Sequence, residues 1–96
     1  MAAYLLAICE ITNQHDNFKK YIRRSPAIVE KHGGKYLLRG PAKQVIKGEL
    51  LAGKTIILTE FPSMEALDAF VNDPEYVNEV APLREGSGEY HFAAYE

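Results

Sequence analysis

A chain of 96 residues with 47% apolar and 25% charged side chains has the composition of an ordinary soluble globule and the length of one domain, residues 1–96. Its net charge of −2 and pI near 5.9 give no basic face for nucleic acid and no polybasic segment for anionic lipid. The single cysteine, Cys9, excludes an internal disulfide, and Tyr4–Ile8 is too short to span a bilayer and has no basic segment before it, so a cytoplasmic setting is expected.

Ala3–Thr12 is apolar on both parities, with Leu5, Ala7, Cys9 and Ile11 on one side and Tyr4, Leu6, Ile8 and Glu10 on the other. Such a strand belongs in the middle of a sheet covered on both faces. Asn13 offers a helix N-cap with Asp16 behind it, and Phe18, Tyr21, Ile22, Ser25, Ile28 and Val29 follow the spacing of an apolar helical stripe. Pro26 should break that helix into two short pieces, because it lacks an N–H and its ring clashes one turn back. Lys31-His32-Gly33-Gly34 reads as a helix end, with cations at the negative pole and then glycine for the left-handed position.

Lys35–Arg39 is expected to be a second strand stopped by Gly40-Pro41, and Gln44–Glu49 a short edge strand. Lys54–Phe61 is the clearest strand, followed by a stop at Pro62, a cap at Ser63 and a helical stripe of Met64, Leu67, Phe70 and Val71. Asp73-Pro74 opens a further turn or helix carrying Tyr76, Val77, Val80 and Leu83. Gly86-Ser87-Gly88 reads as a flexible hinge before a last strand, Glu89–Tyr95. The order β-α-β-β-α-β predicts an α+β, ferredoxin-like sandwich with a four-stranded antiparallel sheet and helices on one face. Because the first, third and fourth strands are apolar on both parities, something must cover the second face, and the simplest cover is a second copy of the chain.

The runs GGKYLLRG (Gly33–Gly40), TEFPSMEALDAF (Thr59–Phe70) and DPEY (Asp73–Tyr76) resemble the domain-of-unknown-function 1330 family of the dimeric α+β barrel superfamily. The resemblance spans essentially the whole chain and implies a ferredoxin-like protomer whose sheet pairs with a partner's to form a barrel. Pro41 departs from the pattern, standing where such proteins often have a second glycine, and Val71-Asn72-Asp73 replaces a more aromatic stretch. The family brings no catalytic set. Its superfamily includes cofactor-independent monooxygenases, lactone isomerases, haem enzymes and pure binding modules, among which a shared fold does not choose.

Two functional classes follow: a cofactor-independent enzyme, monooxygenase- or isomerase-like, acting on a small organic molecule held between sheet and helices, and a non-catalytic ligand-binding or stress-associated module. In the first, Arg39 would stabilise an oxyanion while His91 or Glu60 moves a proton. Against this, Arg39 serves equally as an ion-pair partner across a dimer seam, Glu60 as a partner of Arg39 or Lys35, and His91 as a hydrogen-bonded core residue. His32, Tyr21 and Tyr76 are candidate ligand-binding residues, with a helix-terminal role for His32 and core or rim packing for the tyrosines as the plainer readings. The histidines show no metal-ligand spacing and there is no phosphate-cradling or dinucleotide motif, so neither metal nor cofactor is expected, and haem binding lacks a supporting pattern.

Overall fold

The computed structural model describes residues 1–96 as a sheet of four antiparallel strands with helices on one face. In chain order they are β1 (Ala3–Ile11), α1 (Asp16–Lys31), β2 (Lys35–Pro41), β3 (Thr55–Phe61), α2 (Met64–Val71), a π-helical turn (Tyr76–Val80), a 3₁₀ turn (Ala81–Arg84) and β4 (Gly88–Tyr95). The strand order β2-β3-β1-β4 puts the two-sided β1 and β3 at the centre, as their sequences require. This is the ferredoxin-like arrangement.

Register fixes the two faces. Ala7 pairs with Ile57 and Phe92, and Leu5 with Thr59 and Ala94, so these residues look toward the helices. Leu6 pairs with Leu58 and Ala93, and Ile8 with Ile56 and His91, and these look away. Nothing in the chain covers that second face, where Leu38 and Tyr95 are each 54% exposed. The Cα trace measures 34 × 33 × 16 Å, the thickness of one sheet and one helical layer.

Several sequence expectations change at the local level. The cap of α1 is His15 rather than Asn13: its Nδ1 accepts the Phe18 amide proton at 3.0 Å while Nε2 meets the Glu85 carbonyl at 2.8 Å. Pro26 does not divide α1, which runs unbroken for 16 residues. Its buried stripe (Phe18, Ser25, Ile28, Val29) continues on both sides of the proline, and packing against the sheet outweighs one missing hydrogen bond. Gly33 ends the helix at φ +79°, the left-handed conformation that the glycine pair foreshadows. The expected edge strand at Gln44–Glu49 does not form: residues 42–54 are an irregular connection, and β2 instead extends through Gly40 to Pro41.

The 73–84 segment is neither one turn nor one α-helix. Pro82 has no N–H for the Asn78 carbonyl, and the chain answers with a π-helical turn, Ala81 N–H to the Tyr76 carbonyl, before tightening into 3₁₀. The glycine-flanked stretch before β4 is a pinned connector, not a hinge. Ser87 is fully buried and its carbonyl accepts from the Thr12 and Asn13 amides at 2.8 and 3.0 Å. At Gly88 a Cβ would lie 1.9 Å from the Glu10 carbonyl oxygen, so backbone meets backbone there with no room for a side chain.

The core occupies one end of the space between sheet and helices. Ala3, Leu5, Ile28, Val29, Phe61, Leu67, Phe70, Tyr76 and Val80 form a single buried cluster. Phe61, Phe70 and Tyr76 stack through it, with ring centres 5.4 and 4.6 Å apart in succession. An ionic lock built on the buried Asp73 carboxylate closes this end. Asp73 Oδ2 is 2.7 Å from His32 Nε2 and 2.9 Å from Lys31 Nζ, while Oδ1 accepts from the Glu75 and Tyr76 amides. The hydrogen bonds from His32 and then Lys31 hold the Asp73 carboxyl well below the usual carboxylate range.

Candidate functional site

The other end of the same space is open. At 1.5 Å per residue α1 reaches about 24 Å, while α2, with eight residues, reaches about 12 Å, against strands some 23–30 Å long. Beyond the end of α2 the sheet is therefore uncovered, and a cavity of about 720 Å³ remains, a size ordinary for a small-ligand site. Its sheet wall includes Ala7, Cys9, Ile57 and Phe92, and α1 contributes Phe18, Tyr21 and Ile22. Exposed Gln14, Arg39 and Gly53 mark the mouth.

The chemistry of the lining is one-sided. Of its 21 residues 14 are hydrophobic, and none is an aspartate, glutamate or histidine. The polar groups are hydroxyls (Tyr21, Tyr36, Tyr76, Tyr90, Ser25, Thr55, Thr59), the Cys9 thiol, Gln14 and the Arg39 guanidinium. Burial pushes the Cys9 thiol and the Tyr36, Tyr76 and Tyr90 phenols up, so each keeps its proton at neutral pH. The cavity thus offers hydrogen-bond donors and no ordinary base.

Behind this wall stands Arg84, the last residue of the 3₁₀ turn. Its Nη1 donates to the Tyr76 hydroxyl at 3.0 Å and lies 3.5 Å from that of Tyr21, and the two hydroxyls are 3.2 Å apart. The guanidinium carbon sits 4.9 Å from the Phe92 ring centre, 5.4 Å from that of Tyr90 and 5.6 Å from that of Tyr21. The Arg84 carbonyl accepts from the Ser87 amide at 3.1 Å and from the Ser87 hydroxyl, which also meets the Tyr90 hydroxyl.

The sequence-predicted residues are dispersed by this geometry. Tyr21 and Tyr76 line the cavity, and Arg39 stands at its mouth with its guanidinium 4.7 Å above the Tyr36 ring. His91 and Glu60 lie on the far face of the sheet, in register with Ile8 and Tyr4, and Glu60 pairs with Lys35 at 3.4 Å. Arg39, His91 and Glu60 therefore do not converge on one site within a protomer, because strand parity sends them to opposite faces. His32 is committed to Asp73 and stays outside the cavity lining. Sequence reasoning passed over Arg84. It lies two residues after Pro82 in a stretch whose π-to-3₁₀ transition has no readable period, and only the Tyr76-to-Arg84 pairing across that irregular turn reveals it. No group of three or more metal-ligating side chains is placed to hold an ion, and no helix is long and apolar enough to cross a membrane.

A two-layer α+β sandwich with this strand order, open at one end, defines a ferredoxin-like protein with a sheet–helix cavity. More narrowly, the chain belongs to the DUF1330 family, a domain of unknown function, whose model matches residues 2–96. Among solved structures it is similar to RPA0582, a protein of unknown function from Rhodopseudomonas palustris, with TM-score 0.72 and 17% identity over 98% of this chain and 80% of that one. It is also similar to SnoaB, a cofactor-independent oxygenase from Streptomyces nogalater, with TM-score 0.70 and 8% identity over 99% and 91% of the two chains. A dimeric ferredoxin-like protein of unknown function from Jannaschia sp. CCS1 superposes with TM-score 0.63 and 16% identity over 100% and 99%. At these identities the likeness is one of fold. A comparison with curated protein sequences finds no significant match.

Proposed function

We propose that the protein is a homodimer, paired sheet to sheet, that binds a small, largely apolar, oxygen-bearing organic molecule in the cavity of each protomer. The carrying observation is the lining itself: apolar walls of ligand-site volume, several side-chain hydroxyls, and no carboxylate or histidine. The uncovered second face, with Tyr4, Leu6, Ile8, Ile56, Leu58 and Tyr95 on it, supports the dimer, as does the dimeric ferredoxin-like relative in fold. A free, buried Cys9 suits a cytoplasmic setting.

A second reading, catalysis without a bound cofactor, draws on the structural likeness to the oxygenase SnoaB. With no base in the cavity, such a reaction needs a substrate acidic enough to ionise unaided.

Native mass spectrometry of freshly purified protein tests the main reading. The expected result is twice the 10.8 kDa protomer mass, with added small-molecule mass that disappears on denaturation. A monomer that takes up no apolar probe overturns it.

A further inference from the structure

Arg84 is a half-buried guanidinium without a counter-ion: no carboxylate lies within 4.0 Å, although the chain has 13 acidic residues and other cations do find partners. Its surroundings are two tyrosine hydroxyls and three aromatic rings. Removing a charge from water without a paired anion is unfavourable, and aromatic faces offset only part of that cost. What the arrangement lacks is a negative charge on the cavity side of the tyrosines.

Proton counting says how such a charge would be met. Tyr21 and Tyr76 have two hydroxyl protons between them, and one is spent in the bond that joins them. Tyr76 accepts from Arg84 whichever way that bond runs, so one O–H is left to donate, polarised by the guanidinium behind it. Both tyrosines line the cavity. A single strong donor suits one oxygen; a carboxylate, with two, is better matched by a bidentate fork that is not presented here. Tyr90 and Phe92, their rings within 7° of parallel and their centres 6.3 Å apart, also line the cavity.

We propose that Arg84, Tyr76 and Tyr21 form the recognition head of the cavity for one anionic oxygen, the phenolate or enolate oxygen of a small aromatic ligand. This rests on the cavity being a binding site. Arg84 acts through the tyrosines and is a positioning residue; Tyr21 or Tyr76 touches the ligand. The remaining lining carries no negative charge to oppose the anion, and its single cation, Arg39, stands at the mouth.

The test uses 4-nitrophenol, whose absorbance reports its own ionisation, beside 4-nitroanisole, which cannot ionise, and 4-nitrobenzoate. Bound 4-nitrophenol is expected to ionise about one pH unit below the free compound, a tenfold preference for phenolate. Arg84→Met and Tyr76→Phe should each abolish that displacement, read within each variant as the difference between 4-nitrophenol and 4-nitroanisole binding. Should Arg84→Met fail to fold, the wild-type displacement and Tyr76→Phe carry the same test, while Tyr21→Phe, which keeps the Arg84–Tyr76 bond and frees the Tyr76 O–H, should retain the displacement. If 4-nitrophenol and 4-nitroanisole bind equally and ionisation is unmoved, the recognition head is overturned and the cavity stands. Tighter binding of 4-nitrobenzoate overturns the single-oxygen class. Absence of binding by all three overturns the cavity reading, and the head with it.

Discussion

At one end of the sheet–helix space Phe61, Phe70 and Tyr76 fill the volume, and an ionic lock closes over them; at the other, Ala7, Cys9 and Ile57 face about 720 Å³ of unfilled space. The strands are the same and α1 spans both ends. What differs is α2, which stops at Val71 and roofs only the first. Packed core and open cavity thus lie toward opposite ends of the strands, with Phe70 and Tyr76 belonging to both, and a histidine stands at each end of α1. His32 pairs with a buried carboxylate at the packed end, while His15 caps the helix and holds the Glu85 carbonyl at the open one.

The largest expected effect is at the packed end. Phe61→Ala, at a site with no exposure, should cost roughly 3–5 kcal/mol in chemical denaturation. A loss below about 1 kcal/mol would mean that this end is as loosely filled as the other. Asp73→Asn comes next and carries a pH signature. Because the folded-state carboxyl lies below the ordinary range, its contribution is present above the unfolded carboxyl's pKa, about 4, and is lost as pH falls toward the folded value. Denaturation midpoints of wild type and Asp73→Asn should therefore differ at pH 7 and converge as the pH falls below about 4 toward the folded-state value. A difference that persists in acid would place the effect in packing rather than charge.

At the open end the effects shrink. His15→Ala should cost about 1 kcal/mol, and Asn, which can cap but cannot reach the Glu85 carbonyl, should restore part of it. Smallest of all in stability is Ile57→Phe, which adds volume where space already exists. Its stability should stay within about 1 kcal/mol of wild type while the affinity for 4-nitroanisole changes. An affinity identical to wild type would place the ligand away from Ile57.

The fold was legible because it rests on patterns that span whole strands. The two-parity runs of β1 and β3 require a central position, and the Pro62-Ser63 stop and cap placed α2. Features that hang on a single residue were less legible. Pro26 carries a strong local signal for a break, yet the stripe from Phe18 to Val29 held the helix together. His15 and Asn13 are both able to cap, and only the carbonyl of Glu85, 70 residues away, favours the histidine. The candidate site was half visible: Tyr21, Tyr76 and Arg39 were singled out, but which face His91 and Glu60 take is settled by register. Arg84 was invisible because its partners come from α1, the π-helical turn and β4, with no shared spacing.

The early end of α2 makes helix length a volume control. Each further turn added after Val71 would extend the roof by about 5.4 Å over the same unchanged strands. Asp73, the acid of the ionic lock, follows Val71 by only two residues, so any insertion or deletion at this terminus moves the lock as well as the roof. Cavity size and the closure of the packed end are thus set at one and the same junction.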